Sequence, residues 1–226
     1  MKKLIAILLF FLAVLTTGAQ DVTPDWANQL FVGNKVGWGK DKWRTTGELQ
    51  FRLEDNMKSL ERWFIEGVGS YMPSRNWELS IPVRHSVLPE YNEWRLGLGL
   101  LYKQYPNNRI QLVYQLMYQM DSNPGEIKHG TRGVVFFNYK WKENIIPSLV
   151  AGVFHTWSES YTGFQYLRGG GGLSYVFDFK HTINFTYFLG AQDLGEKWTY
   201  QGVFFFQLII NLNKEYNFLP AKYIIF

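Results

Sequence analysis

The chain has 226 residues, with 23 lysines and arginines against 19 aspartates and glutamates, and it contains no cysteine. The length suits a single domain. The lack of cysteine excludes a disulfide framework and a lipid-modified N-terminal cysteine. The near balance of positive and negative charge excludes the basic surface of a nucleic-acid-binding protein. Aromatic residues make up 18% of the chain, which is typical of transmembrane β-barrels, whose outer faces carry aromatic and aliphatic side chains.

The N-terminal residues, 1–19, have the organisation of a cleaved signal peptide. Two lysines precede an uninterrupted apolar run at residues 4–15, and small residues lead up to the expected cleavage site after Ala19. The apolar run is shorter than the roughly 20 residues of a membrane-spanning helix. We therefore expect an exported protein whose single barrel domain is residues 20–226.

From residue 43 onward, apolar and polar side chains alternate, which is the period of a strand whose two faces meet different surroundings. In the clearest segment Leu49, Phe51 and Leu53 share one face, and charged or amide side chains occupy the other. The pattern predicts ten strands, at residues 43–55, 60–71, 77–86, 93–105, 109–121, 130–141, 145–157, 167–177, 182–190 and 198–213.

These strands predict an all-β, antiparallel up-and-down transmembrane β-barrel of a bacterial outer membrane. The segment Trp26–Val36 also resembles a strand, but an eleventh strand would give the odd count that single-chain bacterial barrels avoid. We therefore expect it at the periplasmic rim or in the lumen, or else twelve strands with a short last strand at residues 221–226. Pro82 predicts a bulge, because proline removes a hydrogen bond from the ladder.

The predicted connections alternate between short and long. Those near residues 73–75 and 106–108 are tight, whereas those near 56–59 and 122–129 are longer. Outer-membrane barrels keep their periplasmic turns short and their outer loops long. The pattern predicts that the longer set lies outside the cell and that the strand beginning at Trp43 runs outward.

The inward faces of the predicted strands carry charges of both signs, which can pair across strands. Arg52, for example, is expected among the nearby carboxylates Glu48, Glu54 and Glu66. A filled, ion-paired lumen is favoured over a narrow polar passage, because eight strands already give an interior that side chains fill. The predicted lumen network comprises Glu48, Gln50, Arg52, Glu54, Arg62, Glu66, Glu78, Arg84, Glu93, Arg95, Arg132 and Arg168. Apolar side chains expected to point inward as well are Phe64, Val68, Leu101, Val113, Met117, Phe136 and Leu149.

Several of these features are shared with a known family. The segment Trp26–Arg52 has an early tryptophan, a hairpin arm that opens with Lys42 and Trp43, and an inward Glu-x-Gln-x-Arg pattern that begins at Glu48. Further matches follow in the same order along the chain, namely Tyr71, Arg95, the glutamine-rich segment 109–119, Arg132 and Arg168. In these features the chain resembles the bacterial outer-membrane barrels catalogued as domain of unknown function 2490.

The chain departs from that family at a few positions. Gln115 and Gln119 stand where the family often has arginine and glutamate, and a tail follows Asn213. The resemblance implies an outer-membrane barrel and carries no established reaction. Phe226 resembles the aromatic C-terminus that barrel assembly machinery recognises, so we expect that machinery and outer-membrane lipids as partners.

The sequence leaves the activity open, with an enzyme the less favoured interpretation. The leading hypothesis is a small barrel that serves structure, binding or narrow solute passage; the alternative is an outer-membrane lipid hydrolase with a serine and histidine at the rim. Adjacent strand residues face opposite ways, so His85 and Ser86 cannot pair, and His155 could meet Ser158 only through a loop. The histidines lack metal-ligand spacing, and we expect no metal or cofactor.

Overall fold

A computed structural model describes residues 26–178, 180–193 and 198–221. The expected signal peptide, Phe226 and most of the possible last strand at 221–226 lie outside these residues. The described chain is all β, and none of it forms a helix long and apolar enough to cross a membrane. Its strands are β1 (Trp26–Asp41), β2 (Trp43–Glu54), β3 (Ser59–Tyr71), β4 (Trp77–Val87), β5 (Asn92–Asn107), β6 (Ile110–Asn123), β7 (Glu126–Tyr139), β8 (Ile145–Trp157), β9 (Thr162–Val176), β10 (His181–Asp193), β11 (Trp198–Asn211) and the two-residue β12 (Glu215–Tyr216).

Consecutive strands from β1 to β11 pair antiparallel, and β1 then pairs with β11 to close a barrel. The closing pair is parallel and runs from Trp26 opposite Tyr200 to Gly37 opposite Asn211. It must be parallel, since strands that alternate in direction leave the first and the eleventh pointing the same way. The predicted barrel fold is thus confirmed, with eleven long strands among the described residues.

The placement predicted for Trp26–Val36, at the rim or in the lumen, is wrong. This segment belongs to β1, which is a full barrel strand with β11 on one side and β2 on the other. The expectation of an even strand count failed because a parallel closing pair satisfies the backbone groups of β1 as completely as an antiparallel one. Ala221, the described start of the possible last strand, lies in no strand.

The barrel has two ends, an upper mouth and a lower mouth, each formed by a different set of turns. The upper mouth is formed by the connections at 55–58, 88–91, 124–125 and 158–161, and the lower mouth by those at Lys42, 72–76, 108–109 and 140–144.

Connection length does not distinguish the two mouths. The long outer loop predicted at 122–129 is a hairpin that continues to a two-residue turn, where Gly125 has a φ of +86°. That left-handed conformation suits glycine because it has no Cβ. The predicted contrast between short and long loops is therefore wrong, and the orientation of the barrel stays a prediction.

The outer wall of the barrel is apolar along the middle of its strands. Leu98 is 58% exposed and Leu116 is 57% exposed, and both lie on the face opposite the lumen. Aromatic rings of the outer wall pair near each mouth. The exposed Trp43 lies against Tyr71 at 4.7 Å between ring centroids on the lower side, and the exposed Trp94 lies against His85 at 4.4 Å on the upper side. An apolar band between two aromatic girdles is the outer surface of a transmembrane barrel.

Pro82 does not produce the predicted bulge. On the β3 side, Pro82 lies opposite Val68 with no register shift. On the β5 side, the pairing is interrupted between Ser80 and Val83, and the register is the same before and after the gap. Gly97 makes room for the ring, since a Cβ added there would lie 2.6 Å from Pro82 Cγ. The missing donor is thus accommodated by a local gap in pairing rather than by an extra residue.

Candidate functional site

The inner wall is the candidate site, because every second side chain of each strand points there. The predicted network residues are placed as follows: Glu48, Gln50, Arg52, Glu66, Glu78, Arg84, Glu93 and Arg132 are buried, Arg62, Arg95 and Arg168 are half-buried, and Glu54 is exposed at the end of β2. Glu54 therefore lies at the upper mouth, outside the group of buried charges.

Ion pairs on the upper half of the inner wall join residues that the strand register sets opposite one another. Glu66 faces Arg84 across the β3–β4 ladder, and Arg84 Nε lies 2.7 Å from Glu66 Oε2. Arg95 faces Asp121 across the β5–β6 ladder, and its guanidinium forks onto both carboxylate oxygens at 2.5 and 3.0 Å. Bidentate contacts of this kind are among the stronger hydrogen bonds in proteins.

A third set of charges lies between these pairs and the upper mouth. Arg62 Nε lies 2.9 Å from Glu61 Oε1, and its Nη1 lies 3.7 Å from Glu93 Oε1. Glu93 also lies 3.8 Å from Arg95. Glu93 is therefore shared between an arginine on β3 and an arginine on β5.

Arg52 does not have the carboxylate partners predicted for it. Its Nε donates a hydrogen bond to Gln50 Oε1 at 2.8 Å, and its guanidinium lies 4.3 Å from the ring centroid of Phe31 and 5.2 Å from that of Phe64. Glu66, one of the expected partners, is taken by Arg84. The prediction was wrong because alternation gives the face of a residue, whereas pairing depends on the register.

Glu48 on β2, another expected partner of Arg52, contacts side chains on both strands of the closing pair, β1 and β11. Lys35 Nζ on β1 lies 2.9 Å from Glu48 Oε2, and both side chains are buried. The amides of Gln50 and Gln207 each donate a hydrogen bond to Glu48 Oε1 at 2.9 Å. Because Gln207 is on β11, this buried polar group ties together both sides of the parallel closure.

The lower half of the inner wall binds the end of the described chain. The backbone N–H of Ala221 donates to Glu78 Oε2 at 2.7 Å, and Lys103 Nζ donates to the carbonyl oxygen of Leu219 at 2.8 Å. Glu78 and Lys103 are each 0% exposed and lie 3.4 Å apart. Arg44 Nη1 also reaches the carbonyl oxygen of Ala221, at 3.4 Å. We call residues 212–221 the tail; it returns into the barrel at the lower mouth.

Apolar side chains pack around the tail. Ala221 is 2% exposed and belongs to a buried cluster drawn from β1, β5, β6, β7, β8, β10 and β11. The predicted inward positions of Phe64, Val68, Leu101, Val113, Met117 and Phe136 agree with their burial. Leu149 was predicted wrongly: it is 54% exposed on the outer wall, and Val150 takes the inner position. A cavity of about 50 Å³ remains beside the tail, bordered by Lys35, Arg44, Asn138 and Ala221 among others.

The histidines do not form the site that a hydrolase requires. His85, His129 and His155 pack against the aromatic residues Trp94, Tyr118 and Phe164, respectively, in the girdle near the upper mouth. His181 lies at a lower turn and contacts the carboxylate of Asp178 at 2.9 Å. Among the described residues no serine hydrogen-bonds a histidine, and no group of three or more histidines and carboxylates could hold a metal ion.

The predicted lumen network leaves out several inner-wall residues. The alternation places Lys103 and Asp121 on the polar, inward faces of their strands, but neither was included in the network. Lys35 was missed because its segment was not assigned to the wall. The inward return of the tail had no sequence signal that we recognised.

The closed barrel, the apolar outer wall and the charged inner wall define the chain as a transmembrane β-barrel protein of porin-like architecture. It belongs to the family described as "Protein of unknown function (DUF2490)", which matches residues 29–201, so the family predicted from the sequence is confirmed. A comparison with curated proteins finds no match.

The chain also resembles solved structures of porins. A structure of the NanC porin in a rhombohedral crystal form is 8% identical, with a TM-score of 0.47 over 71% of this chain and 86% of that chain. A structure of the KdgM porin in complex with disordered oligogalacturonate is 11% identical, with a TM-score of 0.45 over 74% of this chain and 85% of that chain.

Proposed function

We propose that the protein is an integral barrel of the bacterial outer membrane, with a lumen that its own side chains and tail fill. In this proposal it serves structure and binding, and it does not act as an open general pore. The location is supported by the apolar outer band and its two aromatic girdles, since closed barrels of this kind span outer membranes.

The observation that carries the proposal is the burial of charged side chains on the inner wall. Arg84 is 2% exposed, Glu66 is 3% exposed, and Lys103 is 0% exposed. The walls of a water-filled channel would leave such groups hydrated, because isolated charges are costly to remove from water. Their ion pairs and hydrogen bonds offset that cost in a filled interior.

The tail adds a second barrier at the lower mouth. Its carbonyl groups at Leu219 and Ala221 accept hydrogen bonds from inner-wall cations, and its last described amide donates to a buried carboxylate. A segment held by three such contacts occupies space through which a solute would have to pass. Both ends of a passage must be open for conduction, so the tail alone would restrict it.

The lipid hydrolase has no supporting contact among the described residues, because the histidines near the upper mouth face outward. A single refolded sample tests both hypotheses. In planar bilayers the protein should produce no stable conductance steps, and esterase substrates should not turn over. Steady ohmic conductance would overturn the filled lumen, and serine-dependent turnover would restore the hydrolase.

Two further measurements test location and orientation. The mature protein should fractionate with outer membranes and migrate differently on gels before and after boiling, whereas recovery as a soluble periplasmic protein would contradict the proposal. An epitope inserted at residues 124–126 should be labelled on intact cells, and one inserted at Asn107 should not. Reversed labelling would refute the predicted orientation without affecting the barrel.

A further inference from the structure

The small cavity beside the tail is bordered largely by polar side chains, although it lies among buried residues. Its volume is about 50 Å³. A volume of roughly 10–15 Å³ is enough to hold one water molecule, so the cavity has room for about three or four. The bordering side chains that carry a hydroxyl or an amide are Asn138, Ser148, Ser174, Asn184 and Thr186.

A series of hydrogen bonds fixes the orientation of the Asn184 amide. Glu48 Oε1 accepts a hydrogen bond from Gln207 Nε2 at 2.9 Å, and a carboxylate can only accept. Gln207 therefore presents its Oε1 to Asn184, whose Nδ2 donates to it at 3.2 Å. This arrangement makes Asn184 Oδ1 an acceptor, and that atom is buried with no hydrogen-bond partner in the described part of the chain.

Thr186 adds a second polar atom at the same cavity. It lies two residues after Asn184 on β10, on the same face of the strand, and it is 1% exposed. Its Oγ1 is likewise buried, and no other described residue hydrogen-bonds it. The residue opposite on β9 is Gly172, and a Cβ added there would collide with Thr186 Oγ1. Buried polar groups are costly unless they are hydrogen-bonded.

The groups around the cavity define what can occupy it. An occupant has to donate a hydrogen bond to Asn184 Oδ1, which a chloride ion cannot do. Lys35 and Arg44 also border the cavity, and their positive charges repel a metal cation. These two side chains only donate, so the occupant must accept hydrogen bonds as well. Water meets both requirements.

We propose that the cavity is an internal hydration site, in which a small cluster of ordered water molecules bridges Asn184 and Thr186 to the inner-wall cations beside the end of the tail. Buried water of this kind is part of a protein's structure and typically makes about three hydrogen bonds. The inference goes beyond the proposed function, because enclosed water can be held beside the tail whether or not the barrel conducts.

Thr186→Val tests the site through the direction of its effect on stability. Valine has nearly the shape of threonine, so the substitution mainly removes the hydroxyl group. In a hydrated cavity it removes a hydrogen bond to water, and the equilibrium constant for unfolding in urea should rise about threefold. In a dry cavity it removes a buried hydroxyl that has no partner, and the constant should fall. An unchanged or lower constant would overturn the hydration site.

Thr156→Val calibrates that measurement. Thr156 Oγ1 donates a hydrogen bond to the carbonyl oxygen of His129 at 2.8 Å, and Thr156 does not border the cavity. Its replacement should therefore raise the equilibrium constant for unfolding in the same direction as Thr186→Val. The gel shift on boiling checks that each variant is folded.

NMR of the refolded, methyl-labelled mature protein detects the water itself without any substitution. Val150 borders the cavity, and its methyl groups should show a nuclear Overhauser effect to water, with the sign expected for water that tumbles with the barrel. Val113 is the matched control, because it is also buried but lies in the apolar cluster away from the cavity. No effect at Val150, or an equal effect at Val113, would overturn the site. Conductance steps would overturn the filled lumen and leave this result intact.

Discussion

Removing the charge of Glu66 should destabilise the barrel strongly. Glu66 and Arg84 are 3% and 2% exposed, and they are joined at 2.7 Å. Glu66→Gln keeps the size of the side chain but leaves Arg84 as a buried cation without its counter-charge. Breaking a buried ion pair in this way costs about 3–5 kcal/mol. The glutamine oxygen can still accept a hydrogen bond worth about 1 kcal/mol, so we expect a loss of about 2–4 kcal/mol in the free energy of unfolding.

Urea titration of the barrel refolded into lipid vesicles, followed by tryptophan fluorescence, measures this loss. Glu143→Gln is the control, because Glu143 pairs with Lys140 at an exposed turn, and exposed pairs contribute little. The double variant Glu66→Gln/Arg84→Gln should recover part of the stability, since it removes both charges of the pair and leaves Arg84 no longer a buried cation without its partner. Recovery should be incomplete, because Arg84 also lies 3.9 Å from the ring centroid of Phe64. A loss for Glu66→Gln no larger than that for the control would mean that the pair is hydrated and would refute this reasoning.

Three further predictions concern the tail, a turn and a tight packing contact. Ala221→Asp places a second carboxylate beside Glu78 and should release the tail from the inner wall. The release should be measurable as faster amide hydrogen exchange at residues 215–221, and unchanged exchange would contradict the tail contacts. Hydrogen bonds from the His181 ring and from the backbone N–H groups of His181 and Lys180 lower the pKa of Asp178 to about 2. The contribution of the Asp178 carboxylate to stability should therefore be complete above its unfolded pKa of about 3.9, and it should be lost as the pH falls toward 2. An NMR titration of the Asp178 carboxyl with a midpoint near 4 would contradict this prediction. Gly97→Ala pushes a Cβ against Pro82 and should lower the free energy of unfolding, measured by urea titration, by about 1–3 kcal/mol. Gly69→Ala is the control, because no atom lies within 4 Å of its added Cβ, and it should lower the free energy of unfolding far less. Equal losses would contradict the predicted clash.

The sequence predicted the faces of the strands well because the side-chain period is a local property. Arg52, Glu66 and Arg84 were all expected to point inward, and all three are buried. Which charges pair was not predictable, because pairing requires the register between strands and alternation does not contain it. Arg84 holds Glu66 because the β3–β4 register sets them directly opposite, while Arg52 lies opposite another arginine, Arg62.

Features that depend on distant parts of the chain were also out of reach. The role of β1 depends on β11, which pairs with it across most of the length of the sequence. The tail is held by Glu78 and Lys103, which come more than 100 residues earlier. Neither relation leaves a local pattern, so the alternation that revealed the barrel could reveal neither the closure nor the contents of its lower half.

Access of water to the inner wall is the most direct test of the filled lumen. The chain has no cysteine, so single-cysteine variants report one position each in labelling by a charged methanethiosulfonate reagent. Ser86→Cys probes the upper inner wall, where Ser86 is 0% exposed, and Glu90→Cys probes an exposed turn at the upper mouth. A filled lumen predicts labelling of Ser86→Cys at least a hundredfold slower than that of Glu90→Cys in the folded barrel, and equal rates after unfolding. Labelling of the two variants at similar rates in the folded barrel would contradict the filled lumen.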